Sequence, residues 1–87
     1  MASYKVFIKR SAAKELAAIG SRKDRRRLVE TIRSLADDPR PPGCQKLSGS
    51  EKYRVRQGNY RIVYSIQYDR LIIMVVRGTH RRDVYRV

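Results

Sequence analysis

Tryptophan is absent from this chain, and phenylalanine, histidine and cysteine occur once each. The lone Cys44 excludes an internal disulfide and fits a reducing compartment. One histidine, one cysteine and scattered carboxylates fall short of the ligand count of a zinc site. There is no Gly-rich phosphate loop and no carboxylate pair, so any catalysis is expected to be metal-independent and without a cofactor. No apolar run approaches about 18 residues, and no signal-peptide core opens the chain. Neither a membrane span nor a secretory leader is expected, and the chain reads as cytoplasmic. Acids are scarce: 8 Asp and Glu stand against 21 Lys and Arg, a formal charge of +13. Charge on that scale strains a compact monomer and attracts polyanions. Nucleic acid is the first candidate partner and an acidic protein the second. An anionic membrane surface is third, since no long amphipathic basic helix or lipidation motif supports it.

What remains is a single small domain. Eighty-seven residues, 41% hydrophobic, must build their core from aliphatics and some of the six tyrosines. Residues 4–8 carry β-branched and aromatic side chains and predict a first strand. Ser11 stands where an N-cap should, ahead of a short helix over 12–19 that Gly20 closes. Ser21, with Asp24 three residues on, caps a second helix. Leu28, Val29, Ile32, Leu35 and Ala36 share one face of it, and Pro39 ends it. Two helices so close in sequence predict an antiparallel hairpin. After the Pro41-Pro42-Gly43 turn the chain becomes strand-rich. Residues 52–57 alternate, Gly58-Asn59 signals a type II′ hairpin, and residues 60–68 alternate again. Asp69-Arg70 predicts a second turn, and residues 71–77 return as a strand apolar on both faces, which suggests a central place. The expected class is α+β, in the order βααβββ: an antiparallel sheet of about four strands with the helical hairpin packed on one face. The first strand joins an edge or the centre of that sheet.

The Gly58-Asn59 turn sets a register. Gln57 should pair with Tyr60, Arg56 with Arg61, and Arg54 with Val63. Like charges directly opposite cost a sheet up to roughly 1 kcal/mol, a penalty that a polyanion over that face reverses. The segment Gly78-Thr79-His80-Arg81-Arg82-Asp83-Val84-Tyr85 follows the most apolar strand. His80 titrates near neutrality, Arg81 and Arg82 can clamp phosphate oxygens, and Tyr85 can hydrogen-bond or stack on a base. A plain strand end needs none of these. If the last strand lies beside residues 60–68, both cationic groups join one sheet. A further basic run, with Arg22 and Arg26, opens the second helix, where the macrodipole disfavours it. A solvated helix face explains several of these side chains, and a contact to structured RNA or an acidic partner is the functional alternative.

These residues resemble a family. The strand and helical hairpin, the run Arg56-Gln57-Gly58-Asn59-Tyr60-Arg61-Ile62-Val63-Tyr64, and the ending His80-Arg81-Arg82-Asp83-Val84-Tyr85-Arg86 look like the RelE/ParE superfamily of toxins, and most like its RelE branch. The resemblance spans almost all of residues 1–87. It implies a type II toxin that cleaves mRNA in the ribosomal A site and forms a hetero-oligomer with an acidic antitoxin. It places Arg61 and Arg81 on the transition-state phosphate, His80 as the general acid and Tyr85 as orienter. Arg54, Arg56, Arg82, Arg22 and Arg26 are expected to bind RNA. Arg54 and Arg56 fall where some relatives carry lysines, one of them the general base. Arginine stays protonated, which makes His80 the better proton-transfer candidate. The alternatives are a ParE-like toxin that inhibits DNA gyrase without catalysis, and an inactive basic RNA-binding module.

Overall fold

The computed structural model describes residues 3–47 and 51–78. Strand β1 (Lys5–Ile8) leads into helix α1 (Arg10–Ala17), and α2 (Arg22–Asp37) follows. Strands β2 (Gln45–Lys46), β3 (Lys52–Gln57), β4 (Tyr60–Gln67) and β5 (Arg70–Gly78) complete the order. The five strands form one sheet in the order β1-β5-β4-β3-β2. The class is the α+β arrangement expected, with both helices on one face. Two details were not legible in advance. The two-residue β2 lengthens the sheet beyond β3, and β1 enters at the far edge, parallel to β5. β5 is an interior strand, between β1 and β4, in keeping with its apolar character on both faces.

The core lies between that sheet and the helices. Ala12 from α1 and Leu28, Ile32 and Leu35 from α2 meet Tyr53, Ile62, Tyr64, Leu71, Ile73 and Val76. Period 3.6 on α2 and period 2 on the strands bring these side chains to a common layer. Tyr64 is fully buried, and its hydroxyl donates to the Pro39 carbonyl at 2.7 Å. Burial pushes this phenol well above its ordinary pKa, with smaller contributions from Cys44 and Tyr53.

The helix ends differ in how they form. Ser21 caps α2 as expected: its hydroxyl accepts from the Asp24 N–H at 3.1 Å. Ser11 does not cap α1. The helix starts at Arg10, with Lys9 at the cap position and no side-chain cap bond. The cause is the sheet: the Lys9 N–H still bonds the Ile73 carbonyl, while the Lys9 carbonyl already accepts from Ala13. Strand therefore passes straight into helix, and Ser11 falls inside the first turn. α1 also stops at Ala17, and Gly20 does not take the left-handed conformation of a closing glycine.

The second hairpin turn lies one residue earlier than expected, at Tyr68-Asp69, because Gln67 pairs with Arg70. Arg70 is held from its other side by Lys5, and the Lys5 N–H bonds the Asp69 carbonyl at 2.8 Å. Tyr68 consequently sits at φ 57, the one non-glycine residue with positive φ among those described. Among the described residues, no helix is long and apolar enough to cross a membrane.

Candidate nucleic-acid interface

The Gly58-Asn59 turn produces the expected register: Gln57 opposes Tyr60, Arg56 opposes Arg61 and Arg54 opposes Val63. Gly58 adopts φ 58 while Asn59 does not take a positive φ, as a type II′ turn demands. Alternation sends Tyr53, Val55 and Ile62 to the core, so Arg54, Arg56 and Arg61 share the face turned away from the helices.

A third strand adds to this face. Val63 pairs with Val75 but Tyr64 pairs with Ile73, so β5 holds one extra residue, Met74. The bulge changes the phase of the strand. Ile73 and Val76 both reach the core despite lying three apart, and Arg77 comes directly opposite Arg61. Without the bulge, strict alternation from Leu71 and Ile73 would send Arg77 to the core side. The result is one row of three arginines, Arg56–Arg61–Arg77.

Arg56 and Arg61 are exposed, and their side chains make no hydrogen bond or ion pair with the described residues. Arg77 is different: its Nε donates to Glu15 Oε2 at 3.0 Å, the one salt bridge among the described residues. Glu15 Oε1 accepts from the Val76 N–H at 3.1 Å. Strand β1 ends at Ile8, opposite Ile73, so β5 beyond that point has no strand on this side. A carboxylate from α1 takes the place of the missing strand and steadies Arg77 at the same time. Arg54 donates from Nη2 to Gln45 Oε1. Together with Gly43 and Arg56, these two line a cleft of about 300 Å³. The hairpin is tied to the helix layer through the Thr31 hydroxyl, which donates to Gln57 Oε1 at 2.8 Å.

Arg22 and Arg26 are not part of this face. They line a groove between α1 and α2, with Arg25 and Arg33 beside them and Leu16 and Val29 as apolar wall. His80, Arg81, Arg82 and Tyr85 lie outside the described residues, which end at Gly78 opposite Tyr60. The residue that sequence reasoning missed is Arg77, together with its partner Glu15. Arg77 reads as the last residue of a buried strand, and only the bulge at Met74 turns it outward.

A sheet with two helices packed on one face is the fold that this chain shares with solved RelE toxins. The chain superimposes on RelE in the RelE–RelB complex of Pyrococcus horikoshii with a TM-score of 0.79 and 28% identity, over 91% of this chain and 98% of that one. It matches an E. coli RelE mutant bound to a peptide of the antitoxin RelB at TM-score 0.75 and 25% identity, over 95% and 90%. A toxin–antitoxin complex from Mycobacterium tuberculosis matches in fold at TM-score 0.77 and 21% identity, over 87% and 98%. The family model described as the ParE toxin of type II toxin–antitoxin systems matches residues 6–85. The chain therefore belongs to that toxin family, within the RelE/ParE superfamily, and its solved relatives support the RelE-type branch. No curated protein matches it.

Proposed function

We propose that this toxin is an endoribonuclease that cuts mRNA in the ribosomal A site and is held inactive by an acidic antitoxin. The observation that carries this reading is the Arg56–Arg61–Arg77 row, in which two guanidinium groups stand exposed and unpaired among the described residues. Three cations side by side repel one another, and an RNA backbone reverses that repulsion. In the reaction, a ribose 2′-OH loses its proton and attacks the adjacent phosphorus. The P–O5′ bond breaks, and a proton is delivered to the leaving 5′-oxygen. The products are a 2′,3′-cyclic phosphate and a 5′-OH end.

Arg61 and Arg81 neutralise the non-bridging oxygens as charge develops there. His80 takes the 2′-OH proton as base or supplies the proton to the leaving 5′-oxygen as acid, and Tyr85 orients the nucleotide. Arg54 and Arg56 hold the flanking backbone, with Arg82 assisting. Arg22 and Arg26, on the helix layer, belong to contacts with ribosomal RNA or the antitoxin instead. Ribosome and mRNA as partners imply a cytoplasmic protein, and an acidic partner suits a chain of charge +13. Solved relatives in complex with antitoxins support such a partner.

The second reading is gyrase inhibition without catalysis, favoured by the ParE description of the matching family model. One pair of assays separates them. Translate a defined mRNA in a purified system with the toxin added, and map the new 5′-OH ends by primer extension. In parallel, measure DNA supercoiling by gyrase. Cuts within the A-site codon support the ribonuclease. No cuts, with supercoiling blocked, would sink it.

A further inference from the structure

The face that carries Arg61 continues well beyond it. Register places Lys52, Ser65, Ile72 and Phe7 in one row, and Gln67, Arg70 and Lys5 in the next. Phe7 is the chain's single phenylalanine, and it is 49% exposed on an edge strand. The guanidinium carbon of Arg70 lies 5.7 Å from the centre of its ring. Lys5 stands directly opposite Arg70, and neither forms an ion pair with the described residues. No acidic residue occurs in any row of this face, although the chain has 8. An exposed aromatic ring with an arginine over it and a lysine alongside is the combination that holds an unpaired base and its phosphate.

Resting on the ribonuclease reading, we propose that Phe7, Arg70 and Lys5 form a second RNA subsite, which stacks a base of the same strand away from the cleavage point. From the Arg61 row to the Phe7 row is about 13 Å along the strands, and from β4 to β1 is two strand spacings of about 4.8 Å. The stacked base is therefore a few nucleotides from the scissile phosphate. Between the two subsites lie Val63, Val75 and Ile72, half-buried, and Ser65, buried, all uncharged, over which a single strand passes without a specific contact. Charge selects an anionic occupant over an apolar protein segment, and the exposed Phe7 ring with Arg70 beside it favours an RNA base over an acidic peptide.

The test uses fluorescence anisotropy of end-labelled single-stranded RNA at low ionic strength, with a trinucleotide and a hexanucleotide as probes. The trinucleotide spans the arginine row alone, whereas the hexanucleotide reaches Phe7. Phe7→Ala and Arg70→Gln are each expected to weaken hexanucleotide binding about tenfold, within the range of one lost stacking contact. Neither should change trinucleotide binding, and Phe7→Tyr should bind as the native protein does. Equal losses on both probes, or no rescue by tyrosine, would mean a damaged sheet and overturn the subsite. Unchanged hexanucleotide binding would also overturn it and leave the patch to a protein partner. Loss of binding to both probes in Arg61→Ala, beside an unaffected Phe7→Ala, leaves the ribonuclease reading intact while this inference fails. A native protein that binds neither probe and cuts no mRNA refutes both.

Discussion

Arg77 stands directly opposite Arg61 because Met74 is bulged out of β5. One inserted residue changes which face the end of the strand presents, and so adds a cation to the row that Arg56 and Arg61 begin. Glu15 then holds Arg77 by its Nε, which leaves the terminal nitrogens of the guanidinium for another acceptor. Arg77→Ala is expected to raise KM for programmed ribosomes several-fold while changing the single-turnover rate less than Arg61→Ala does. An equal loss of rate in the two variants would place Arg77 at the reacting phosphate itself.

Glu15 has a second task that can be measured apart from activity. Its Oε1 accepts the Val76 N–H at an edge where β1 no longer runs. Glu15→Ala leaves that donor without its carboxylate and should cost about 1 kcal/mol in urea unfolding. Glu15→Gln keeps an acceptor and should cost less. Identical losses would show that the Arg77 ion pair, not the Val76 bond, carries the effect.

Tyr64 makes stability depend on alkaline pH. Its folded pKa is raised by burial, while an unfolded phenol ionises near about 10. A raised folded pKa means that the contribution is fully present below about pH 10 and is lost as the pH climbs above it. Tyr64→Phe removes the bond to the Pro39 carbonyl and should cost about 1 kcal/mol at neutral pH. The same variant should lose less stability than the native chain as the pH rises from about 10 to 12. Parallel decline of both proteins across that window would assign the alkaline loss to other groups.

Tyr68 occupies the left-handed region at φ 57, and its side chain is 98% exposed, so it contributes strain with little packing. Tyr68→Gly should stabilise the chain by about 0.5–1 kcal/mol, net of the entropy glycine adds to the unfolded state. A destabilised variant in chemical denaturation would mean that the ring has contacts worth more than the strain.

Local chemistry was legible where it acts locally. Gly58-Asn59 dictates its own turn, so the Arg56–Arg61 pairing follows from two residues and a pleat. Ser21 and Asp24 mark a helix start that nothing else contests. Leu28, Ile32 and Leu35 announce the buried face of α2. The features that escaped depend on partners distant in sequence. β1 pairs in parallel with residues some sixty-five positions on, Lys5 with Arg70, and no turn signals such a pairing. That pairing displaces the cap of α1 from Ser11 to Lys9 and extends β5 to Arg70. The bulge at Met74 follows from how Ile73 and Val76 both fit the core, a property of packing that alternation within β5 cannot reveal. Arg77 was hidden by it, and with Arg77 the role of Glu15.

Cleavage by Arg61 on ribosomes that have already bound the toxin tests the central claim most directly. Single-turnover cleavage of a defined mRNA should give a 2′,3′-cyclic phosphate and a 5′-OH by mass spectrometry. Arg61→Ala should slow it by about 100-fold or more, whereas Arg22→Ala, on the helix layer, should stay within about threefold. Uncut mRNA with the native protein, or equal losses in Arg61→Ala and Arg22→Ala, would contradict a catalytic site on the arginine face.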